Sequence, residues 1–276
     1  MEYAFTFSSN NQQLLSIVHP GDNNNETGVL IVVGGPQYRV GSHRQFVQLA
    51  RSLADAGHTT MRFDYTGMGD SSGDKAEFDA IDGDIKSAID GFMEQQPQLK
   101  NIVIWGLCDA ASAALMYAHQ DRRVSGMVIL NPWLRSDQAM GKAMLKFYYV
   151  QRLLSKDFWA KFFAGKVNVK ASVQDVKGFA ADSVNTGGQR DSSGKSYQQR
   201  MAEGLQNFDG KLLLILSGND LTAKEFEQQA FAEKAWKKIK SSSCALQRLP
   251  ESDHTFSTKK WKREVEQYTL KFLQSF

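Results

Sequence analysis

Cys108 lies in the stretch Trp105-Gly-Leu-Cys-Asp-Ala110. The apolar run Asn101–Ile104 precedes it and the small-residue run Ala110–Ala114 follows. A thiol at the tip of a strand-to-helix turn sits at a helix N-terminus, where the macrodipole favours thiolate. Gly106 two positions before and Ala110 two positions after give G-x-C-x-A, the spacing that lets strand and helix close around a nucleophile. Thiolate is both a good nucleophile and a good leaving group, so the chemistry would be acyl transfer through a thioester. Read alone, the same stretch also fits a packed thiol acting as a small hydrophobe.

A nucleophile of this kind needs a base and an orienting acid. His254, in Ser252-Asp-His-Thr-Phe256, directly follows the last strand-like run and precedes the terminal helical pattern. Asp220, in Ser217-Gly-Asn-Asp220, lies just past the end of the preceding strand-like run. Each has a plain alternative: a surface histidine for His254, and a helix N-cap for Asp220. Asp253, next to the histidine, is a second candidate acid, although a sequence neighbour usually points elsewhere.

An acyl intermediate also needs donors for its oxyanion. The backbone N–H of Asp109 is one. The other should come from Gly34-Gly-Pro-Gln-Tyr-Arg-Val-Gly41, where Gly34 and Gly35 allow close backbone approach and Gln37 or Tyr38 can present an N–H. Pro36 has none to give. Arg39 and His43 could hold an anionic group, or serve as a salt bridge and a residue at a helix start.

These positions require a parallel sheet covered by helices, and the rhythm of the chain supplies one. Buried strands are expected at Val29–Val33, Thr59–Phe63, Ile102–Trp105, Met127–Leu130 and Leu212–Leu216, with Ala245–Leu249 at the edge. Tyr3–Phe7 and Leu14–Val18 alternate about an Asn-rich turn, as an antiparallel hairpin does. Helices are expected at Phe46–Ala56, Ile81–Glu94, Ala110–His119, Ala223–Ile239 and Lys260–Phe276, the last packing through Trp261, Val265, Tyr268 and Phe272. From Trp133 to Gln206 strand-like runs vanish and aromatic, Lys-rich helical segments appear. The expected organisation is therefore a core of residues 1–132 and 207–276 with an inserted helical cap at 133–206.

Composition narrows the partners. The 276 residues carry 33 basic and 30 acidic side chains, a net charge of +3. That balance argues against nucleic acid or an anionic membrane as partner, and the lysines at 234, 237, 238 and 240 read as a solvated helix face. Two cysteines make no disulfide framework and have no metal-ligand spacing, so neither metal nor cofactor is expected. Cys244 reads as structural. The first residues lack the pattern of a secretory signal, and no apolar run approaches the ~20 residues of a membrane span, so a cytoplasmic location with a reduced thiol is expected.

Over nearly its whole length the chain resembles α/β-hydrolases. The segments Leu30–Phe46, Arg62–Ser71 and Trp105–Ser112 closely resemble the exosortase A system-associated hydrolase 1 family, found in bacteria that make exopolysaccharide and sort proteins by exosortase. The resemblance implies an α/β-hydrolase fold and a cysteine-nucleophile hydrolase, with Cys108, Asp220 and His254 in the fold's order of nucleophile, acid and base. Phe63–Ser71 resembles the D-x-R-G-x-G-x-S loop of the superfamily with Thr66 in place of the arginine, so that arginine's salt bridge should be absent. Two related groups with an elbow cysteine, dienelactone hydrolases and polyester synthases, mark the chemistries to separate: hydrolysis of a small-molecule ester or thioester, and transfer of its acyl group. A non-catalytic binding protein of the polysaccharide machinery is the third reading.

Overall fold

A computed structural model describes residues 1–35, 37–135 and 194–276. The chain divides into two units, residues 1–134 with 199–276 and residues 135–198. The cap expected at 133–206 lies for the most part, from 136 to 193, outside the described residues.

The first unit is built on an eight-stranded sheet: β1 (Tyr3–Ser9), β2 (Gln12–His19), β3 (Thr27–Val32), β4 (Thr60–Phe63), β5 (Asn101–Leu107), β6 (Val124–Leu130), β7 (Lys211–Ser217) and β8 (Cys244–Leu249). Their spatial order is β1-β2-β4-β3-β5-β6-β7-β8. β1 pairs antiparallel with β2, and β2 antiparallel with β4; every pair from β4 to β8 is parallel. Asn10 and Asn11 close the hairpin with φ of 47° and 66°. Both central residues of a two-residue hairpin turn need positive φ, and Asn tolerates it.

Every residue of β3 is buried, as in a central parallel strand covered on both faces. Helices α1 (Gln45–Asp55), α2 (Asp82–Gln95), α3 (Asp109–Tyr117), α4 (Tyr197–Asn207), α5 (Leu221–Ala232) and α6 (Lys259–Leu273) run between and after the strands. α1 buries Phe46, Val47, Leu49, Ala50 and Leu53, a one-sided stripe. α3 is different: Ala110 through Tyr117 are all buried. Its small residues let it lie close against β5, and a Cβ on Gly106 would come within 2.8 Å of the Ala110 carbonyl.

Two helices depart from the sequence reading. The helix expected over 223–239 ends at Ala232, because Glu233 is extended (φ −95°, ψ 138°), and a 3-10 turn, Lys234–Lys240, follows. Trp236 and Ile239 are buried there, so this segment is pinned by its apolar side chains rather than by helix continuity. In α6 the buried stripe is Val265, Thr269 and Leu273; Trp261, Tyr268 and Phe272 are half-buried beside it. Among the described residues no helix is long and apolar enough to cross a membrane.

Candidate active site

The carboxyl ends of β5, β7 and β8 lie on one edge of the sheet, where open α/β sheets place their ligands. β5 ends at Leu107 and α3 begins at Asp109, so Cys108 alone makes the turn. Its backbone sits at φ 63°, ψ −124°, a conformation side-chain-bearing residues rarely adopt. The surroundings hold it there. The Cys108 N–H donates to the Leu130 carbonyl (2.9 Å), and the Cys108 carbonyl accepts from the N–H groups of Ser112 and Trp133, each 3.2 Å. Ser112, fully buried, adds a hydroxyl bond to the Trp133 carbonyl (2.8 Å). Cys108 itself is half-buried.

Asp220 does two things at once. Its oxygens accept from the N–H groups of Thr222 and Ala223, both at 3.1 Å, which makes it the N-cap of α5. Oδ2 also lies 2.8 Å from Nδ1 of His254. The cap fixes the carboxylate, and the carboxylate fixes the ring. His254 is pushed up from 6.5 to about 10, first by the Asp220 hydrogen bond and next by the Cys108 side chain. Both neighbours favour the imidazolium. Asp253 is turned away: its carboxylate takes the N–H and hydroxyl of Ser257, so of the two candidate acids it is Asp220 that contacts the ring.

The loop bearing His254 rests on residues that sequence reasoning missed. Asn131, fully buried and at φ 43°, donates to the His254 carbonyl (3.0 Å) and to Ser217 Oγ (2.8 Å), while its Oδ1 accepts the Ser217 N–H (2.8 Å). Ser217 in turn donates to the Asp253 carbonyl (2.8 Å). The ends of β6 and β7 thus carry the histidine loop through neutral, buried hydrogen bonds. The available signal was a polar residue directly closing the apolar run of β6.

The loop after β3 is more occupied than expected. Arg39 pairs with Asp64 and with Asp70 (2.6 Å), and its N–H donates to Asp64 Oδ1 (2.6 Å). Asp64 is fully buried, and its charge is met by Arg39 from another loop. Arg39 is thereby engaged in holding two acidic side chains. Buried Arg62 reinforces the loop by donating to the Arg39 carbonyl (2.5 Å). Gln37 turns inward, its Oε1 accepting the Ser42 N–H (2.9 Å), and Tyr38 is 45% exposed. His43 and Arg44 are both exposed with positive φ, 50° and 59°.

Asp109 is the largest departure. Its carboxylate accepts the Gly35 N–H at 2.6 and 2.7 Å and the Ala110 N–H at 2.9 Å. Gly34 has no room for a Cβ, which would collide with Asp109 Oδ1. Burial pushes this carboxyl up, against the downward pull of the amides of Gly35 and Ala110 and of its own backbone N–H.

A cavity of about 590 Å³ lies between α1 and α6, lined by Phe46, Leu107 and Phe256 among others, but by none of the three candidate catalytic residues. Cys244 lies at the start of β8, its thiol pushed up to about 12 by burial. No cluster of metal-ligating side chains occurs among the described residues.

The model of the family described as serine aminopeptidase, S33, matches residues 26–258, and the chain belongs to that family of α/β-hydrolases. No curated protein matches by sequence. Among solved structures, an esterase of Pyrococcus furiosus, Pf2001, superposes with a TM-score of 0.69 at 18% identity, covering 100% of this chain and 91% of that one. A dienelactone hydrolase from Anabaena variabilis gives 0.65 at 16%, covering 100% and 98%. Est1E from Butyrivibrio proteoclasticus, solved with ferulic acid bound, gives 0.62 at 16%, covering 97% and 98%. At these identities the likeness shows the fold, and the fold is the α/β-hydrolase one.

Proposed function

We propose that the chain is a hydrolase of ester or thioester bonds acting through a Cys108–His254–Asp220 triad, with cysteine where the family's description has serine. The observation that carries this reading is the His254–Asp220 contact at 2.8 Å, with Cys108 close enough on a strained elbow to help raise the imidazole pKa.

The steps follow from the groups present. His254 takes the Cys108 proton, and the thiolate adds to the acyl carbonyl carbon, moving an electron pair onto its oxygen. The N–H of Asp109 and that of Gly35 are the donors assigned to that oxyanion. Collapse breaks the bond to the alkoxide or thiolate leaving group, which leaves with the proton from His254. The now neutral imidazole takes a proton from water as the water adds to the thioester. A second collapse expels the Cys108 thiolate and frees the carboxylic acid. Acylation removes the thiol's share in raising the His254 pKa, which assists the second half.

Transfer of the acyl group to an alcohol is the second reading, because a thioester is open to nucleophiles other than water. The resemblance to exosortase-associated hydrolases favours a role beside exopolysaccharide production, and the insert at 133–206 is read as a cap. Turnover of p-nitrophenyl acetate and of an acyl thioester, with and without added glycerol, tests all of this. Wild type should release acid and Cys108→Ala should release none. Product that appears only with the added alcohol would move the assignment to transferase, and equal turnover by both proteins would remove Cys108 from the chemistry.

A further inference from the structure

We propose that the Asp109 side chain is the resident occupant of the oxyanion site, and that an acyl substrate must displace it before Cys108 can react. The inference rests on the Cys108 reading above.

Two backbone donors define an oxyanion site in this geometry: the N–H after the nucleophile, and an N–H from the loop after β3. The second faces a carboxylate here: Gly35 N–H lies 2.6 and 2.7 Å from the two Asp109 oxygens, and the first belongs to the residue that carries that carboxylate. A carboxylate resembles a tetrahedral oxyanion in charge and in its demand for aligned N–H groups, so the site is filled by a mimic of the species it would stabilise. The fit is close: Asp109 Oδ1 takes the space that a side chain on Gly34 would need.

Occupation has two costs for the reaction. The donors are engaged, and a fixed negative charge one residue from Cys108 opposes both thiolate and oxyanion. The carboxylate is also partly desolvated, and burial pushes its carboxyl up, so its hold on the site is weaker than three amides suggest. Tyr65 and Lys75 are the titratable side chains that interact electrostatically with it. A substrate can displace it with binding energy drawn from its non-reacting parts. A minimal ester has little to spend on this, so Asp109 slows its reaction with Cys108 without preventing it.

The test compares acylation rates of wild type, Asp109→Ala and Asp109→Asn with p-nitrophenyl acetate, the folded state of each being checked by circular dichroism. Losing one oxyanion donor typically costs about 10²–10³ in rate. Freeing the donors should therefore raise acylation by about tenfold or more in Asp109→Ala, with a smaller rise in the isosteric Asp109→Asn. A purely structural role cannot produce a gain. Unchanged or slower acylation in folded variants would overturn the proposal, making Asp109 a clamp on the Gly34–Gly35 loop. Should the alanine variant not fold, the asparagine variant decides on the same terms. The double variant Cys108→Ala/Asp109→Ala should not be acylated at all. Acylation surviving there would overturn the Cys108 reading and this one together, whereas a missing gain with Cys108 still acylated overturns this one alone.

Discussion

His254 and Asp220 stand on short loops held from beneath by Asn131 and Ser217, through four bonds of 2.8–3.0 Å among buried, neutral groups. Cys108 stands on a single residue of strained backbone beside a carboxylate that occupies its neighbouring amides. In the proposed mechanism the acid–base half is thus positioned before any substrate arrives, and its polar contacts are satisfied. On the proposed reading the nucleophile half is not, because the Gly35 N–H assigned to the oxyanion is engaged by Asp109. Neutral buried hydrogen bonds hold a loop without placing charge near the reaction, while an anion beside the nucleophile opposes the charge the reaction develops. Readiness in the proposed site is therefore unevenly divided, with the rearrangement assigned to the β5–α3 side.

The largest effect that would sharpen this contrast is at Asp220. Asp220→Asn keeps an N-cap and loses the charge that orients the imidazolium, so kcat should fall by about 10²- to 10⁴-fold. The same variant should alter the pH dependence of stability. His254 is raised from 6.5 to about 10 in the folded protein, so the stability this contributes is fully present below 6.5 and is lost as pH rises through about 10. Denaturant midpoints of wild type should fall across that window more steeply than those of Asp220→Asn. Equal slopes would mean that Asp220 does not hold the proton on His254. The difference should be modest, since the ring is about a third exposed and partly screened.

A smaller effect is expected at Asn131. Asn131→Ala leaves the Ser217 N–H and hydroxyl and the His254 carbonyl short of a partner, which should destabilise the fold by about 1–3 kcal/mol. It should also lower kcat with little change in KM, because the histidine loop loses its support while the substrate's contacts remain. Full activity with the stability loss would break the comparison, since the acid–base half would then be positioned without its underlying bonds.

Most of the fold could be read from the sequence because parallel strands buried on both faces leave unbroken apolar runs such as Val29–Val32 and Leu212–Leu216, and these mark the sheet unambiguously. The helix expected over 223–239 was harder. Its lysines and apolar residues keep a helical spacing through a break that depends on how Trp236 packs against Phe226 (ring centroids 5.4 Å apart). Among the proposed site residues, Cys108, Asp220 and His254 are visible in the sequence because each follows a strand-like run in order. Asn131 is not, because one polar residue after an apolar run has many ordinary explanations, and its role appears only once β6, β7 and the histidine loop meet. Arg39 is visible as an unusual charge, but its partner Asp64 lies 25 residues away and is reached only through the pairing of β3 with β4. The sequence marks Asp109 for its backbone alone. That its side chain would turn back onto Gly35 depends on how closely the loop after β3 approaches α3, which spacing along the chain does not encode.

The most direct measurement is the intact mass of wild type and Cys108→Ala after brief mixing with p-nitrophenyl acetate, followed by peptide mapping. Wild type should gain one acetyl group on the peptide containing Cys108, lost again on standing in water, and Cys108→Ala should gain none. An adduct on another residue, or equal labelling of both proteins, would contradict the assignment of Cys108 as the nucleophile.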